Sequence, residues 1–276
     1  MEEKEREPVS KHVAGIVPVS NVSTDMDLLV PPCLLPLENG FYPIQRSILE
    51  CAYAGCQTIW LVCRDDIGPL VKKVCGDFVV DPKSIASMKF KKFPSENIKY
   101  IPIFYVPISY KNQDKGGIAV SVLEGITSAF VVSDKFSKWV VPHRYYVTSP
   151  YGVYDPQVIS QSKKDIKSSE SLVLTCGGDS MHNGSYLGFS LSSRQFKHCN
   201  YIFKRSSPKE VFTLDKIFNI DIMKENLKKK EIVNYFDISS WDGYKSLFER
   251  GLGFEVLPFW KALFNSEMKK LERFNN

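Results

Sequence analysis

The sequence lacks any apolar run that approaches the ~18 consecutive residues of a membrane-spanning helix. Its 276 residues have a mean hydropathy of -0.17 and 24% charged residues, which are ordinary values for a globular protein. Residues 1–7 are mostly charged and no apolar stretch follows them, so they are not typical of a secretory signal peptide. We therefore expect a cytoplasmic protein that does not insert into a membrane.

Close cysteine pairs are also missing. The chain has seven cysteines, an odd number, and even neighbours such as Cys51, Cys56 and Cys63 are too far apart for a CxxC motif. A structural zinc site usually needs such tight pairs. Most of these cysteines lie in apolar segments, where a free thiol packs as a small hydrophobic group. We expect reduced thiols and no structural zinc site.

A dense cluster of positive charge is the third missing feature. The 36 Lys and Arg residues exceed the 31 Asp and Glu residues by five, and the pI is about 8.7. The basic segments at residues 89–92 and 228–230 are short. Nucleic-acid-binding surfaces carry denser clusters, so nucleic acid is not an expected partner. A mildly basic protein suits a small anionic ligand.

Apolar strands are present and alternate with helices over the first 150 residues. Residues 13–19, 58–63 and 100–106 are continuous apolar runs, as expected for strands buried on both faces. A fourth strand is expected within residues 139–148, with an interruption at Pro142. Such alternation produces parallel pairing through right-handed crossovers. The fold class predicted is α/β, with an open, mostly parallel twisted sheet flanked by helices in a Rossmann-like arrangement.

The intervening helices have recognisable starts and ends. Pro43 suits the first position of a helix, and Gly55 suits its C-terminal cap. A shorter helix covers residues 67–74 and ends at Gly76. A third helix begins after the glycine pair at residues 116–117.

The pattern changes after Pro156. We expect strands at residues 171–176 and 186–190, a helix over residues 213–230 and a late strand at residues 231–237. The chain would close with an amphipathic helix at residues 255–274. The predicted organisation is a solvated tail at residues 1–12, an α/β domain at residues 13–250 and a C-terminal helix at residues 251–276 that packs on it.

Several short motifs follow one another in a characteristic order. They are GIVPV at residues 15–19, PCLLPL at 32–37, Asn-Gly at 39–40, PIQRSI at 43–48, Ala-Gly at 54–55, GIA at 117–119, NGSYLGFS at 183–190 and YFDISSWDGY at 235–244. This order resembles the sugar-phosphate nucleotidyltransferases of the glycosyltransferase-A-like superfamily. The resemblance spans most of the chain and implies a nucleotide-diphospho-sugar transferase-like fold.

The resemblance also implies the residues of a ligand site beyond the carboxyl ends of the strands, where open α/β sheets bind ligands. Nucleotide and sugar phosphate would be the small-molecule partners, with Mg²⁺ as the metal, and a homo-oligomer is compatible with it. The implied nucleotide-binding residues are Pro18, Val19, Ser20, Asn21, Gly116, Gly117 and Ala119. Gly184 and Tyr186 would bind the sugar, and Asp237 and Asp155 would be catalytic and bind the metal.

Three positions depart from the family pattern. The Gly-rich loop that carries an Arg is replaced by residues 20–24, the Lys of the Pro-Lys motif is Cys33, and the fourth strand ends at Thr148 without the family's first metal-binding Asp. An active chain would join a nucleoside triphosphate to a sugar phosphate and release pyrophosphate. A degenerate member that binds a nucleotide or a partner protein is an alternative, as is a nucleotide-sugar-dependent glycosyltransferase.

Most of the candidate side chains also have structural interpretations. Asp237 could cap a strand end, and Asp155 could be a turn residue before Pro156. The acidic pair at residues 65–66 could bind a metal or cap the following helix. A surface role competes with a role in the cleft for Arg144 and, similarly, for His143 and His182.

Overall fold

A nine-stranded sheet forms the centre of the molecule within the part of the chain that the computed structural model describes. That part comprises residues 12–20, 24–26, 28–87, 98–108, 117–135, 141–168, 170–206, 212–218 and 227–264. The strands are β1 (Val13–Pro18), β2 (Thr58–Cys63), β3 (Phe78–Val80), β4 (Tyr100–Pro107), β5 (Arg144–Val147), β6 (Gly152–Val153), β7 (Ser171–Cys176), β8 (Asp179–Ser180), β9 (Phe189–Ser192), β10 (Leu227–Glu231) and β11 (Phe236–Asp237).

Seven of the described helices lie between these strands in the sequence, and two follow the last strand. They are α1 (Pro43–Ala54), α2 (Gly68–Cys75), α3 (Pro82–Ser87), α4 (Ile118–Lys135), α5 (Lys163–Lys167), α6 (Ser193–Arg205), α7 (Leu214–Phe218), α8 (Trp241–Arg250) and α9 (Phe259–Ala262). Short 3-10 helices occupy Pro32–Leu34, Glu38–Gly40, Pro156–Ser162 and Met181–Asn183. No described helix is long and apolar enough to cross a membrane.

The middle of the sheet is parallel, which confirms the predicted fold class. The strand order is β10-β7-β9-β5-β1-β2-β4-β3, with β8 paired to β7. Neighbours from β5 through β1 and β2 to β4 are parallel, whereas β3, β9 and β8 pair antiparallel at or near the edges. The two-residue strands β6 and β11 form a separate antiparallel pair.

The first crossover confirms the predicted strand–helix–strand unit. β1 and β2 are parallel, with Gly15 opposite Ile59. A side-chain carbon added at Gly15 would lie 2.7 Å from the Cys51 sulfur, so the absence of a side chain there lets α1 approach the strand closely. The helix ends at Gly55, whose φ of 84° is left-handed as predicted. Burial of Ile44 and Ile48 on this face stabilises the unit by roughly 1.5–3 kcal/mol for each side chain.

Two apolar cores cover the two faces of the sheet. One core contains residues of α1, such as Ile48, together with Val17 and Ile59. The other contains residues of α4, such as Ile126, with Ile16. Adjacent residues of β1 therefore enter opposite cores, which explains why this strand is a continuous apolar run.

The second half of the chain corrects three predictions. The helix predicted over residues 213–230 is wrong at its C-terminal end, because residues 227–230 belong to β10, which pairs parallel with β7. Helix α7 covers Leu214–Phe218, and residues 219–226 lie outside the described residues. The late strand at residues 231–237 is reduced to Phe236–Asp237. The predicted C-terminal helix is not present from residue 255, since α9 covers Phe259–Ala262, and residues 265–276 lie outside the described residues.

Candidate functional site

The carboxyl ends of the parallel strands meet at one edge of the sheet. Ser20 follows β1, Arg64 follows β2 and Thr148 follows β5. The backbone N–H of Arg64 donates to the Ser20 hydroxyl oxygen at 2.7 Å. The hydroxyl group of Ser121, in α4, donates to the Ser20 carbonyl oxygen at 3.0 Å. Ser20 therefore joins the ends of two strands to the first turns of a helix.

The backbone amides after β1 are already used within the fold. The N–H groups of Val19 and Ser20 both donate to the carbonyl oxygen of Val62, at 2.9 and 3.3 Å. A phosphate nest needs successive backbone N–H groups that point at the ligand. The described part of this loop does not offer one at these two residues, and Asn21 lies outside the described residues.

A tyrosine connects the start of the chain to its C-terminal quarter. The Tyr151 hydroxyl group donates to the Val19 carbonyl oxygen at 2.9 Å. The Tyr151 carbonyl oxygen accepts from the N–H of Ile238 at 2.8 Å. Asp237 is paired with Gly152 in the β6–β11 ladder. The turn that carries Asp237 is thereby attached to the same edge as Ser20.

Asp237 itself stabilises the turn before α8. Its Oδ1 accepts from the Ser239 N–H at 2.8 Å, whereas the helix cap is Ser240, whose hydroxyl oxygen accepts from the Gly243 N–H at 3.1 Å. A side-chain carbon at Gly243 would lie 1.7 Å from the Asp237 carbonyl oxygen, so this turn requires glycine there. Burial raises the pKa of Tyr186, a hydrogen bond with Ser239 opposes that shift, and the Asp237 charge adds to it. Tyr186 therefore faces this turn.

Asp155 lies in a different environment. Its Oδ1 accepts from the Gln157 N–H at 2.8 Å, which caps the 3-10 helix Pro156–Ser162. Burial raises its pKa, and the charges that act on it belong to Arg46 and Glu50 of α1. Its neighbours are thus on the α1 side of the sheet, whereas those of Asp237 are Tyr186 and Ser239.

Two cavities open at the carboxyl edge. The first has a volume of about 310 Å³ and is lined by residues that include Val19, Ser20, Arg64, Asp66 and Tyr151. It contains Val19 and Ser20, the described residues of the predicted set that follow β1. Its rim carries Leu29, whose side chain is fully exposed.

The second cavity brings together predicted nucleotide and sugar residues. It has a volume of about 500 Å³ and is lined by residues that include Gly117, Ala119, His182, Gly184 and Phe212. Gly117 and Gly184 both have positive φ, at 89° and 93°, a conformation that glycine adopts without strain. Gly116 lies outside the described residues. The start of α4 and the loop before β9 are about 65 residues apart in the sequence. The fold brings both to the wall of this cavity.

A buried polar network occupies the position where the family resemblance places a metal-binding acid. The Thr148 hydroxyl group donates to Glu50 at 2.6 Å. Tyr146 and Tyr154 donate to the same carboxylate at 2.5 and 2.7 Å, and Arg46 is ion-paired with it at 2.9 Å. Both charged side chains are completely buried. Sequence reasoning missed this network, although a charged pair at i and i+4 inside a buried helix is a signal that could have indicated it.

The described residues do not complete a two-carboxylate magnesium site. No group of three or more His, Cys, Asp or Glu side chains that could hold a metal occurs among them. Mg²⁺ sites usually combine one or two carboxylates with substrate phosphates. Asp237 offers one carboxylate at the edge, Asp155 lies beside α1, and the Thr148 hydroxyl group is engaged with Glu50.

The structure also places three other predicted candidates, which are Arg144, the acidic pair at residues 65–66 and His182. Arg144 lies at the amino end of β5, away from the carboxyl edge, and donates to the Glu170 carbonyl oxygen at 2.9 Å. The acidic pair at residues 65–66 precedes the cap residue of α2, Ile67, which makes no side-chain hydrogen bond to the helix. Asp66 instead pairs with Arg64. His182 lines the second cavity.

Solved structures share this fold. A protein of Bacillus anthracis assigned as a glucose-1-phosphate thymidylyltransferase, solved with sucrose, is 11% identical, with a TM-score of 0.62 over 90% of this chain and 98% of that one. A UDP-glucose pyrophosphorylase complexed with UDP-glucose is 14% identical, with a TM-score of 0.56 over 87% and 99%. The protein Rv0371c of Mycobacterium tuberculosis is 12% identical, with a TM-score of 0.52 over 87% and 98%.

These similarities show that the chain shares the fold of these proteins. No family model matches the sequence, and no curated protein matches it by sequence. The chain spans nearly the whole length of each of these solved structures.

Proposed function

We propose that this chain binds a nucleotide or nucleotide sugar in the cleft at the carboxyl edge of its sheet, as a sugar-phosphate nucleotidyltransferase-like protein. One observation carries the proposal. The residues after β1 line one cavity, the start of α4 and the loop before β9 line a second, and the hydrogen bond from Ser121 to Ser20 joins α4 to the end of β1. Ligands of open α/β sheets bind at such an edge.

The division between the cavities suits a two-part ligand. The first cavity carries the guanidinium group of Arg64 and the hydroxyl group of Ser20, which suit phosphate. The second is lined by residues that include Gly117, Ala119, His182 and Gly184, which suit a base or sugar. Two structures with this fold are of proteins assigned to a thymidylyltransferase and a pyrophosphorylase, and this supports the same general kind of ligand.

Nucleotidyl transfer to a sugar phosphate, with release of pyrophosphate, is the second candidate. The Asp237 carboxylate, whose charge acts on Tyr186 and which accepts a hydrogen bond from Ser239, supports this candidate as the metal ligand that the family resemblance implies. Transfer of this kind depends on electrostatic stabilisation of phosphate charge, and removal of one such group typically costs ~100-fold or more in rate. Because the described residues offer one carboxylate where two would act, binding is the better-supported function.

Calorimetric titration separates these functions. The wild-type chain would be titrated with UTP, dTTP, ATP, GTP and CTP, each with and without Mg²⁺, and then assayed for pyrophosphate release with a panel of hexose 1-phosphates. Binding of at least one nucleotide without pyrophosphate release supports the binding function. Release that depends on one sugar phosphate supports the transferase. Absence of binding to all five nucleotides contradicts the proposal.

The remaining expectations extend this proposal. A cytoplasmic location, Mg²⁺ that arrives with the nucleotide phosphates and a homo-oligomeric state are all compatible with a small-molecule ligand. Sedimentation of the purified chain with and without UTP would establish its oligomeric state.

A further inference from the structure

The segment that builds the β1 side of the cleft has no positive charge. Residues 12–45 contain neither Lys nor Arg. The next cation, Arg46, is completely buried against Glu50 and cannot reach a ligand in solution. The cation that follows is Arg64, at the end of β2, and its side chain is 53% exposed.

Arg64 lines the first cavity together with Ser20 and Tyr151. Its own backbone N–H is bonded to the Ser20 hydroxyl oxygen, which fixes the residue at the cavity wall. The backbone amides of Val19 and Ser20 are both occupied by the Val62 carbonyl oxygen. Among the described lining residues, the guanidinium group of Arg64 is therefore the cationic donor for an anion in this cavity.

The guanidinium group is paired with a carboxylate that also lines the cavity. Arg64 Nε donates to Asp66 Oδ1 at 3.1 Å, and Nη2 contacts Oδ2. The two side chains are 53% and 57% exposed, and exposed pairs of this kind are held weakly. A phosphate group offers the same forked geometry with more charge, so it can replace Asp66.

We propose that Arg64 binds a phosphate group of the ligand and that Asp66 competes with this phosphate for the guanidinium group. The inference rests on the proposed function, because it names the residue that holds the anionic part of the same ligand. It also predicts the effect of Asp66. Because its carboxylate is bonded to the guanidinium group of Arg64, it lowers the affinity of the cavity for phosphate.

Calorimetric titration of the full chain with sodium pyrophosphate and, separately, with UTP tests the inference. Arg64→Gln removes the cation and should weaken pyrophosphate binding about tenfold or more. Asp66→Asn removes the competitor and should strengthen it severalfold. The control is Lys72→Gln on α2, which breaks an equally exposed ion pair with Asp77 away from both cavities and should change neither affinity.

The double variant shows whether Asp66 acts through Arg64. In the Arg64→Gln background, Asp66→Asn should have no further effect, because no guanidinium group remains to be released. A gain that persists there would overturn the competition, since it would mean general repulsion by the carboxylate. Unchanged pyrophosphate binding in Arg64→Gln would overturn the role of Arg64.

The outcomes also distinguish the inference from the proposed function. Pyrophosphate binding that depends on Arg64, without binding of UTP or the other nucleotides, would contradict the proposed function and support the phosphate role. Nucleotide binding that Arg64→Gln leaves unchanged would support the proposed function and contradict the phosphate role. Absence of binding of pyrophosphate and nucleotides to the wild-type chain would contradict both.

Discussion

Two arginine–carboxylate pairs, one within α1 and one directly after β2, differ in exposure and in their hydrogen-bond partners. Arg46 and Glu50 are completely buried and surrounded by the hydroxyl groups of Tyr146, Tyr154 and Thr148. Arg64 and Asp66 are both more than half exposed.

The difference in exposure separates a structural charge from a charge that is available to a ligand. The buried pair has exchanged its water for hydrogen bonds, so removal of either member leaves an uncompensated charge in the core. The exposed pair keeps most of its water and contributes little to stability. A cation held so weakly can change partner, which a phosphate-binding residue must do.

The largest expected effect is on the buried pair. Glu50→Gln keeps the shape of the side chain and leaves Arg46 charged and buried without a counter-ion. We expect the free energy of unfolding to fall by about 3–5 kcal/mol, measured by urea denaturation. The double variant Arg46→Met with Glu50→Leu should lose less than the sum of the two single variants. A loss below about 1 kcal/mol for Glu50→Gln would contradict the interpretation of the network as structural.

Asp237 and Asp155 provide the next comparison, because both accept a backbone hydrogen bond that an asparagine can preserve. Asp237→Asn should weaken Mg²⁺-dependent nucleotide binding about tenfold, as expected for the loss of a charge-assisted contact. The apo protein should keep its stability to within about 1 kcal/mol. Asp155→Asn is the matched control and should leave the Mg²⁺ dependence unchanged. Equal effects in the two variants would contradict the separation of these carboxylates.

The alkaline pH dependence of stability should also differ between the two pairs. Burial, reinforced by the Glu50 charge, raises the pKa of Tyr146 and of Tyr154 above 10.0. Above pH 10 the unfolded chain releases phenol protons that the folded chain retains, so stability falls as the pH rises. Tyr146→Phe should reduce that slope by at most about 1.4 kcal/mol per pH unit. Arg64→Gln should leave the slope unchanged, and a reduced slope there would contradict the account.

The smallest expected effect is on the stability of the exposed pair. Arg64→Gln should change the free energy of unfolding by less than about 1 kcal/mol, and added salt should reduce even that difference. Thermal denaturation at low and high salt measures it. A large loss of stability would mean that Arg64 is a structural residue.

Much of the sheet centre was predictable from sequence because burial on both faces leaves a continuous apolar run. β1, β2 and β4 have such runs, and Gly55 and Gly76 end the helices between them as predicted. This sequence signal is local, because a strand buried on both faces needs apolar residues whichever strands lie beside it.

The edge strands could not be predicted in this way, because a strand that is not buried on both faces has no continuous apolar run. β10, with the sequence LKKKE, is exposed at the sheet edge and has no apolar pattern, so its lysines resembled the end of a helix. β3 has three residues and gave no periodic signal. Its pairing with β4 depends on residues 20 or more positions away.

The sequence was enough to predict which edge of the sheet carries the candidate site, but not which residues contact one another there. The sequence pointed to Ser20 and Gly117, and the topology brings both to cavities at the carboxyl edge. The contacts of Tyr151 with Val19 and of Thr148 with Glu50 span about 100 residues or more. No spacing rule within one segment reports such contacts.

The position of a bound nucleotide tests the central claim most directly. A crystal of the wild-type chain grown with UTP and Mg²⁺, or with whichever nucleotide of the panel binds, would be solved by diffraction. The account predicts the nucleotide in the cleft between Ser20, Gly117 and Tyr186, with a phosphate group against the guanidinium group of Arg64. A nucleotide bound outside this cleft, or phosphate groups directed away from Arg64, would contradict it.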